Sequence, residues 1–282
     1  MGRSKAHYWF VGPAIFLMLL LLIAPVFVAA ALSMTDYSLG NSGFNWIGWE
    51  NYEKLFSRRS YSKMFTASLT YVLLVVPISV ALGLGSALLI SSLRIGGELY
   101  KAIFFLPVMA TLLAMAIVWE FALNPIVGVV NDILRSGCDK SAIYALLSGS
   151  WLGYDPLDSW YGSACEKKFP LWLGDRQYAL GTIAFIGIWQ AFGFNMVLYL
   201  AGLTSVPREL YQAAQMDGAD SAWERFKLVT WPMLGPTHVF VITISSIRSF
   251  QVFDTVEALT EGGPSKSTYV MVYAMFEKGV RQ

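Results

Sequence analysis

The chain has 282 residues, of which 56% are hydrophobic and only 14% are charged, and its mean hydropathy is +0.53. Such a composition lies outside that of soluble domains and predicts an all-α, polytopic membrane protein. A net charge of +1 argues against nucleic acid as a partner. Two cysteines are too few for a disulfide scaffold or a four-ligand zinc site.

Five apolar runs are long enough to cross a bilayer. A short tail with Arg3 and Lys5 precedes the first of them. A cleaved signal peptide is the alternative for this first run, but the run is longer than a signal-peptide core, so we interpret it as a retained span. The predicted spans are Phe10–Leu32, Thr66–Leu93, Lys101–Leu123, Tyr178–Leu203 and Pro232–Thr255.

The basic residues of the short loops predict an orientation with the N-terminus in the cytoplasm. The 91–101 turn and the 204–231 loop then also face the cytoplasm, and the 124–177 segment faces outward. The bias is imperfect, because four basic residues fall on the outer side: Lys54, Arg58, Arg59 and Lys63. The expected division is residues 1–65, with tail, first span and external loop, and residues 66–282, with the remaining spans.

The outward segment holds both cysteines of the chain, Cys138 and Cys165. In an oxidising exterior they could form a disulfide that closes a loop of about 28 residues and contributes about 3 kcal/mol on the entropic estimate. Two unpaired thiols are the alternative.

The stretch Val206–Pro236, which we call the polar segment, interrupts the apolar pattern before the fifth span. Its pattern predicts helices over Glu209–Met216 and Ser221–Thr230, separated by Asp217-Gly218 and ended by Pro232. Ser221 and Glu224 have the spacing of a capping box. The segment could rest on lipid headgroups. Its acidic residues favour a docking surface for a soluble partner instead, because membrane surfaces are themselves anionic.

Arg248 is the most unusual residue inside a predicted span. It follows Pro232 by sixteen residues, roughly 24 Å of helix, which places it in the outer half of the fifth span. A polar stripe is expected to include Ser245, Gln251 and Thr255. The cation could line a solute pathway, or it could snorkel or pair with Asp254 as a structural group.

Gln190 and Asn195 interrupt the fourth span near its middle, with Trp189, Phe192 and Tyr199 close by. Amides bind sugar hydroxyls and aromatic faces cover the C–H side of a sugar ring, so this mixture suits a sugar pathway. Hydrogen bonding between helices is the alternative for either amide.

No active site is predicted, because no residue set has catalytic or metal-binding spacing. A P-loop is absent from the sequence. Gly83 and Gly85 lie in an apolar run, where small residues favour close helix packing rather than dinucleotide binding. The two histidines, His7 and His238, have no catalytic partner at a recognisable spacing.

The polar segment resembles the coupling loop of ABC importer permeases. The matching residues are Gln212-Ala213-Ala214, Asp217-Gly218-Ala219 and Val229-Thr230-Trp231-Pro232, with flanking matches at Asn51-Tyr52, Leu55-Phe56, Leu106-Pro107, Leu259-Thr260 and Gly262-Gly263-Pro264. The chain is most similar to sugar-import permeases with a MetI-like core. It departs from the pattern at Gln212, where the family has Glu, and between Gly218 and Val229, where the spacing is one residue longer.

The resemblance implies a bacterial inner-membrane subunit that works with a second permease subunit, a cytoplasmic ABC ATPase dimer and an external solute-binding protein, surrounded by membrane lipid. ATP and Mg would be bound by the ATPase, with no cofactor in this chain. A sixth helix is expected near the C-terminus, and its absence before Gln282 would mean truncation or an early end with the C-terminus outside. The coupling residues implied are Glu209, Gln212, Ala213, Ala214, Asp217, Gly218, Ala219 and Pro232.

Two other classes of function stay open at this stage. An ion-coupled secondary transporter would be expected to carry carboxylates within its spans, and Glu120 is the main candidate. A non-transporting scaffold would keep the docking loop without a polar pathway. The predicted pathway residues count against such a scaffold, and they are Gln190, Asn195, Tyr199, Arg248 and Gln251.

Overall fold

The computed structural model describes residues 6–38, 43–93, 95–138 and 170–281. Within these ranges the chain is helical, and the β-type pairing consists of an isolated antiparallel bridge between Thr35 and Trp46. The all-α fold predicted from the composition is therefore confirmed.

The N-terminal unit comprises residues Met1–Ser62. It contains α1 (Ala6–Met18), a π-helical turn (Leu19–Ile23), α2 (Ala24–Leu32) and α3 (Glu50–Ser57). Large apolar side chains of the first span are exposed, with Phe16 at 64% and Phe27 at 71%. Such exposure is expected of side chains that face lipid tails.

Asn51 and Tyr52 fasten α3 to the turn that follows α2. The Asn51 amide donates hydrogen bonds to the backbone carbonyls of Ser33 and Thr35, at 2.9 and 2.8 Å. The hydroxyls of Tyr52 and Ser33 lie 2.7 Å apart. This pair therefore has a structural role within the N-terminal unit.

The second unit comprises Lys63–Gln282, and the helix that leads into it begins at Arg59. Its helices are α4 (Arg59–Ser92), α5 (Gly97–Met109), α6 (Leu112–Ala122), α7 (Val129–Cys138), α8 (Ala179–Thr204), α9 (Arg208–Met216), α10 (Ala222–Arg225), α11 (Trp231–Met233), α12 (Gly235–Phe250), α13 (Asp254–Leu259) and α14 (Met271–Gly279). A second π-helical turn, Phe226–Thr230, joins α10 to α11.

Three helices of the described ranges are long and apolar enough to cross a membrane unbroken: Val11–Leu32, Arg59–Ser92 and Ala179–Thr204. Two helix pairs with a sharp bend meet the same length and composition test when each pair is counted as one span. The pair α5 and α6 is bent by 99°, and the pair Ala222–Met233 and α12 is bent by 68°. The described ranges thus hold between three and five candidate spans.

The third predicted span, Lys101–Leu123, is not one continuous helix as the sequence analysis expected. The backbone is extended at Ala110 and Thr111, and the Thr111 hydroxyl accepts a hydrogen bond from the Ala114 amide at 3.4 Å. Thr111 therefore acts as the N-cap of a new helix.

The boundaries of the fifth predicted span were also wrong. The helix preceding it passes through Pro232 and ends at Met233, and α12 covers Gly235–Phe250 rather than extending to Thr255. Pro236 explains the break, because proline has no amide to donate to the carbonyl four residues earlier and its ring clashes with that carbonyl.

Helix α8 is central to the second unit. Its residues Met196 and Tyr199 are fully buried in a core shared with Leu234 and Val241. Helix α12 runs antiparallel to α8, since Tyr199 contacts His238 and Asn195 contacts Ser245. This pairing places the last turn of α12 beside the middle of α8.

Candidate functional site

The polar segment folds as a helix–turn–helix with a small core of its own. Val206, Ala214, Ala219 and Val229 are buried together, and Tyr211 packs against them. The Tyr211 hydroxyl lies 3.0 Å from that of Thr230, which ties α9 to the second helical run. Internal packing of this kind lets the segment move as one body.

Six of the predicted coupling residues are exposed, namely Pro232 and five residues around the first helix and the turn. Ala214 and Ala219 are not among them, because their side chains are buried inside the segment's own core. The resemblance implies that Ala214 contacts the partner, but Ala214 is buried in a cluster with Val229, against which Tyr211 packs. The five exposed residues around the first helix and the turn are Glu209, Gln212, Ala213, Asp217 and Gly218.

The turn between the two helices depends on Gly218, whose φ is +91°. Its amide donates to the carbonyl of Gln215 at 3.1 Å, and the Ala219 amide donates to that of Ala214 at 2.9 Å. A residue with a side chain rarely adopts this φ, so the predicted role of Gly218 in the turn is confirmed.

The predicted capping box is also present. The Ser221 amide donates to the Glu224 carboxylate at 3.0 Å, and the Glu224 amide donates to the Ser221 hydroxyl at 3.1 Å. The Ser221 backbone amide, together with the Ser221 side chain, lowers the pKa of Glu224 from its ordinary value.

The extra residue between Gly218 and Val229 coincides with the π-helical turn Phe226–Thr230. A π turn closes hydrogen bonds over five residues instead of four, so it holds one more residue without breaking the helix. Pro232 follows directly within α11.

A cavity of about 320 Å³ lies between α8 and the end of α12. This volume is at the lower end of the range for small-molecule sites, about 300–1,000 Å³. Four predicted pathway residues line it: Gln190, Asn195, Arg248 and Gln251. Gln190 is the twelfth of the 26 residues of α8, so the cavity lies near the middle of that span.

Asn195 is 1% exposed and links three helices. Its amide donates to the Ser79 hydroxyl of α4 at 3.2 Å, and its carbonyl accepts from the Ser245 hydroxyl of α12 at 2.9 Å. The alternative of interhelical hydrogen bonding thus describes its main contacts, although Asn195 also lines the cavity.

Tyr199 is placed elsewhere. It is fully buried, and its hydroxyl lies 3.0 Å from Nδ1 of His238. It is not among the residues that line the cavity. His238, which lies one helical turn after the start of α12, is therefore next to Tyr199.

Arg248 occupies the last turn of α12, and its guanidinium lies 4.0 Å from the ring centre of Phe194. No ion pair within 4.0 Å joins it to Asp254 in the described part of the chain. Because α12 ends at Phe250, Gln251 and Thr255 do not continue a stripe along this helix; they reach the cavity from the turn and from α13.

The residues that line the cavity without having been predicted to do so include Phe194, Ser249 and Asp254. Asp254 was considered as a partner for Arg248 and not as a wall of the site. Its position follows from the end of α12, which the hydropathy of the run does not reveal. Phe194 could have been found from its place one residue before Asn195.

The predicted disulfide is outside the described residues, since Cys165 and the side chain of Cys138 are not among them. In the ranges that are described, no group of three or more His, Cys, Asp or Glu side chains could hold a metal ion.

Comparison with known proteins places this arrangement in a family. The family described as "Binding-protein-dependent transport system inner membrane component" matches residues 79–278, more than half of the chain. The trehalose/maltose transport system permease protein MalF of Thermococcus litoralis is 30% identical over 268 residues, which cover 94% of this chain and 80% of the relative.

Other similar proteins agree. The sn-glycerol-3-phosphate transport system permease protein UgpA of Pectobacterium atrosepticum is 25% identical, with 98% of this chain and 84% of the relative covered. The crystal structure of a bacterial ABC transporter involved in the import of the acidic polysaccharide alginate superposes with a TM-score of 0.71 at 22% identity, over 99% of this chain and 85% of that one.

The chain therefore belongs to the binding-protein-dependent transport system inner membrane components, with a MetI-like permease core. It is a multi-pass permease subunit of an ABC importer, which is a transport component rather than an enzyme.

Proposed function

We propose that this permease imports a sugar or sugar-like solute through the cavity beside α8. A soluble binding protein would deliver the solute from outside, and a second permease would complete the pathway. A cytoplasmic ATPase dimer, which binds ATP and Mg, would dock on the polar segment. The names of the trehalose/maltose and glycerol-phosphate relatives support this class of solute.

The observation that carries the proposal is the continuity between the polar segment and the cavity. The second helical run of the segment bends at Leu234 and continues as α12, whose last turn carries Arg248. Movement of the segment would be transmitted along α12 to the wall of the cavity. Rigid elements of this kind carry domain motions in transporters.

The ATPase would contact the exposed face of the segment, at Glu209, Gln212, Ala213, Asp217 and Gly218. Because Gln212 is neutral, its contact would be a hydrogen bond in place of the ionic one that Glu would make. The buried Ala214 and Ala219 would keep the segment rigid when the ATPase moves it. Pro232 would lie at the edge of the docking surface.

The pathway would use Gln190 and Gln251 as hydrogen-bonding groups for solute hydroxyls, and Arg248 would form part of its wall. Asn195 would combine a structural bond with a place in the wall, and Tyr199 would support the wall from behind.

This arrangement requires the N-terminus and the polar segment to face the cytoplasm, in agreement with the basic residues of these regions. Residues 1–65 would form an anchor with an external loop, and residues 66–282 the permease core.

Ion coupling is disfavoured by family membership. Glu120, the carboxylate first considered for it, is on an exposed side of α6 and does not line the cavity.

The substitution Gly218→Val tests the coupling role. A β-branched side chain at this positive φ introduces strain of about 1–3 kcal/mol, which would distort the docking face. We expect membrane insertion to be normal, ATP hydrolysis to continue and solute uptake in proteoliposomes to fall about tenfold or more. Uptake at the parental rate would contradict the proposal.

The matched control is Gly48→Val. Gly48 also has a positive φ, +62°, and open space around its Cβ position, as Gly218 does, but it lies in the N-terminal unit. We expect this variant to retain coupled uptake, which would separate backbone strain in general from strain at the docking face.

A further inference from the structure

The cavity contains a cation that makes no close ion pair with a described carboxylate. The Arg248 guanidinium stacks over Phe194, and no carboxylate lies within 4.0 Å of it in the described ranges. No hydrogen bond from the guanidinium to another described residue is present either. Arg248 is an exposed residue that lines the cavity, and its N–H donors have no hydrogen-bond partner among the described residues.

The position of Phe194 argues against snorkelling. Phe194 is ten residues from Thr204 and fifteen from Ala179, so about 15 Å and 22 Å of helix separate it from the two ends of α8. A guanidinium held over this ring is deep in the span. Arginine stays protonated in proteins, so at this depth the charge needs water or an anion.

Asp254 also lines the cavity and must be weighed against Arg248. It is the first residue of α13, where the free amides of a first helical turn favour a negative charge. Since it is not paired with Arg248, its oxygens can accept hydrogen bonds from hydroxyl groups. Gln190 and Ser249 add further donors and acceptors.

The cavity wall thus carries the guanidinium of Arg248, which can bind two oxygens at once, and separate polar groups that can bind hydroxyls. A neutral sugar would use the second set and leave the cation unmatched. A polyhydroxy solute with one carboxylate or phosphate would match both, because the guanidinium fork fits the two oxygens of such a group.

We propose that the solute of this importer is an acidic sugar, whose anionic group is bound by Arg248 and whose hydroxyls are bound by Asp254 and Gln190. This proposal rests on the proposed import function and specifies its substrate class. Phe194 would hold the guanidinium in place and cover one face of the solute.

Direct binding tests the proposal on the purified complex of the permease with its ATPase and second permease, without the soluble receptor. The probes are radiolabelled D-glucuronate, D-glucose 6-phosphate and D-glucose. We expect one acidic probe to bind at least tenfold more tightly than D-glucose, with an affinity that falls as salt is raised. Whether the carboxylate or the phosphate probe binds identifies the anionic group.

Variants of Arg248 test whether this residue causes the preference for an acidic probe. We expect Arg248→Gln to lose at least tenfold in affinity for the acidic probe with little change for D-glucose, and Arg248→Lys to retain part of the preference. Arg176→Gln is the matched control, because Arg176 is exposed ahead of α8 and does not line the cavity. It should bind the probes as the parent does.

Equal binding of the three probes, or an unchanged preference in Arg248→Gln, would overturn the proposal. Uptake into proteoliposomes that contain the soluble receptor distinguishes this failure from that of the import function. ATP-dependent uptake of D-glucose that is unaffected by Arg248→Gln would leave import intact and reject the acidic sugar. The absence of ATP-dependent uptake for every probe would reject both.

Discussion

Asn195 joins α4, α8 and α12 through the hydroxyls of Ser79 and Ser245 while it also forms part of the cavity wall. An amide buried at this depth has few other partners, because lipid tails offer none. The three-residue network therefore connects the wall of the cavity to the packing of the bundle, and a change at Asn195 should affect both.

A double-mutant cycle measures this link. Asn195→Ala and Ser245→Ala should each destabilise the folded chain, with a coupling energy between them of about 0.6–1.7 kcal/mol, the usual range for hydrogen bonds between membrane helices. Denaturant unfolding in detergent gives the free energies of unfolding. Ser246→Ala is the control, because its hydroxyl bonds only to Ile242 of its own helix and should show no coupling to Asn195. Strict additivity of Asn195→Ala and Ser245→Ala would refute the network.

Gly193 permits a close approach of α8 to α5. A Cβ at this position would lie 2.0 Å from the Phe104 carbonyl oxygen of α5. We expect Gly193→Ala to lower the free energy of unfolding by about 1–3 kcal/mol, as overpacking does. Gly181 of the same helix has open space around its Cβ position, so Gly181→Ala should be neutral or slightly stabilising. Similar effects of the two substitutions on thermal unfolding would show that packing against Phe104 is unimportant.

At the scale of elements, the polar segment is stabilised by local chemistry that the sequence makes visible. Its capping box and glycine turn were predicted from residue types alone and are present. What the sequence did not reveal is the direction of each side chain, which placed Ala214 and Ala219 in a core and left Ala213 outside.

The capping box gives a pH-dependent prediction. The pKa of Glu224 is lowered in the folded segment from its ordinary value of 4.5. Its contribution to stability is therefore present above that value and is lost as the pH falls through the folded pKa. Ser221→Ala should remove this dependence and speed hydrogen exchange at the start of α10 about fivefold, because an N-cap bond contributes roughly 1 kcal/mol. Hydrogen exchange followed by mass spectrometry, as a function of pH, measures both effects. An unchanged pH profile in Ser221→Ala would contradict the assignment.

The spans show where hydropathy succeeds and where it fails. The long apolar runs of α4 and α8 were predicted within a few residues, apart from the seven polar-rich residues by which α4 begins earlier. The breaks at Thr111 and Pro236 in the third and fifth spans were not predicted, because a hydropathy average is insensitive to a single N-cap or a missing amide. Thr111 and Pro236 are both visible in the sequence, but each lies inside a run whose mean hydropathy predicts an unbroken span.

Only some of the residues that line the cavity could be predicted from the sequence. Gln190 and Arg248 stand out because polar groups are rare within apolar runs. Asp254 and Phe194 do not stand out, since one depends on the end of α12 and the other is an ordinary aromatic residue of a span. Tertiary pairing of α8 with α12 brings these four residues together, and no local pattern predicts that pairing.

At the scale of the whole permease, two distant places are joined by a continuous part of the chain. The docking face of the polar segment and the cavity are connected by one bent helical path, from Ser221 through Leu234 to Arg248. Coupling of this kind requires two states that both sites bias, and the bend of 68° between the segment and α12 is the place where such states could differ.

The side of the membrane on which the polar segment lies tests the central claim most directly. A cysteine introduced as Ala213→Cys, at an exposed site of the docking face, would be labelled with a membrane-impermeant maleimide in inside-out and right-side-out vesicles. The unmodified chain measures the background from Cys138 and Cys165, and Phe44→Cys, at a position 60% exposed in the N-terminal unit, reports the opposite side. We expect Ala213→Cys to react in inside-out vesicles only, with protection when the ATPase is bound, and Phe44→Cys to react in right-side-out vesicles only. Labelling of Ala213→Cys from the exterior alone would contradict the claim that the segment is driven from the cytoplasm.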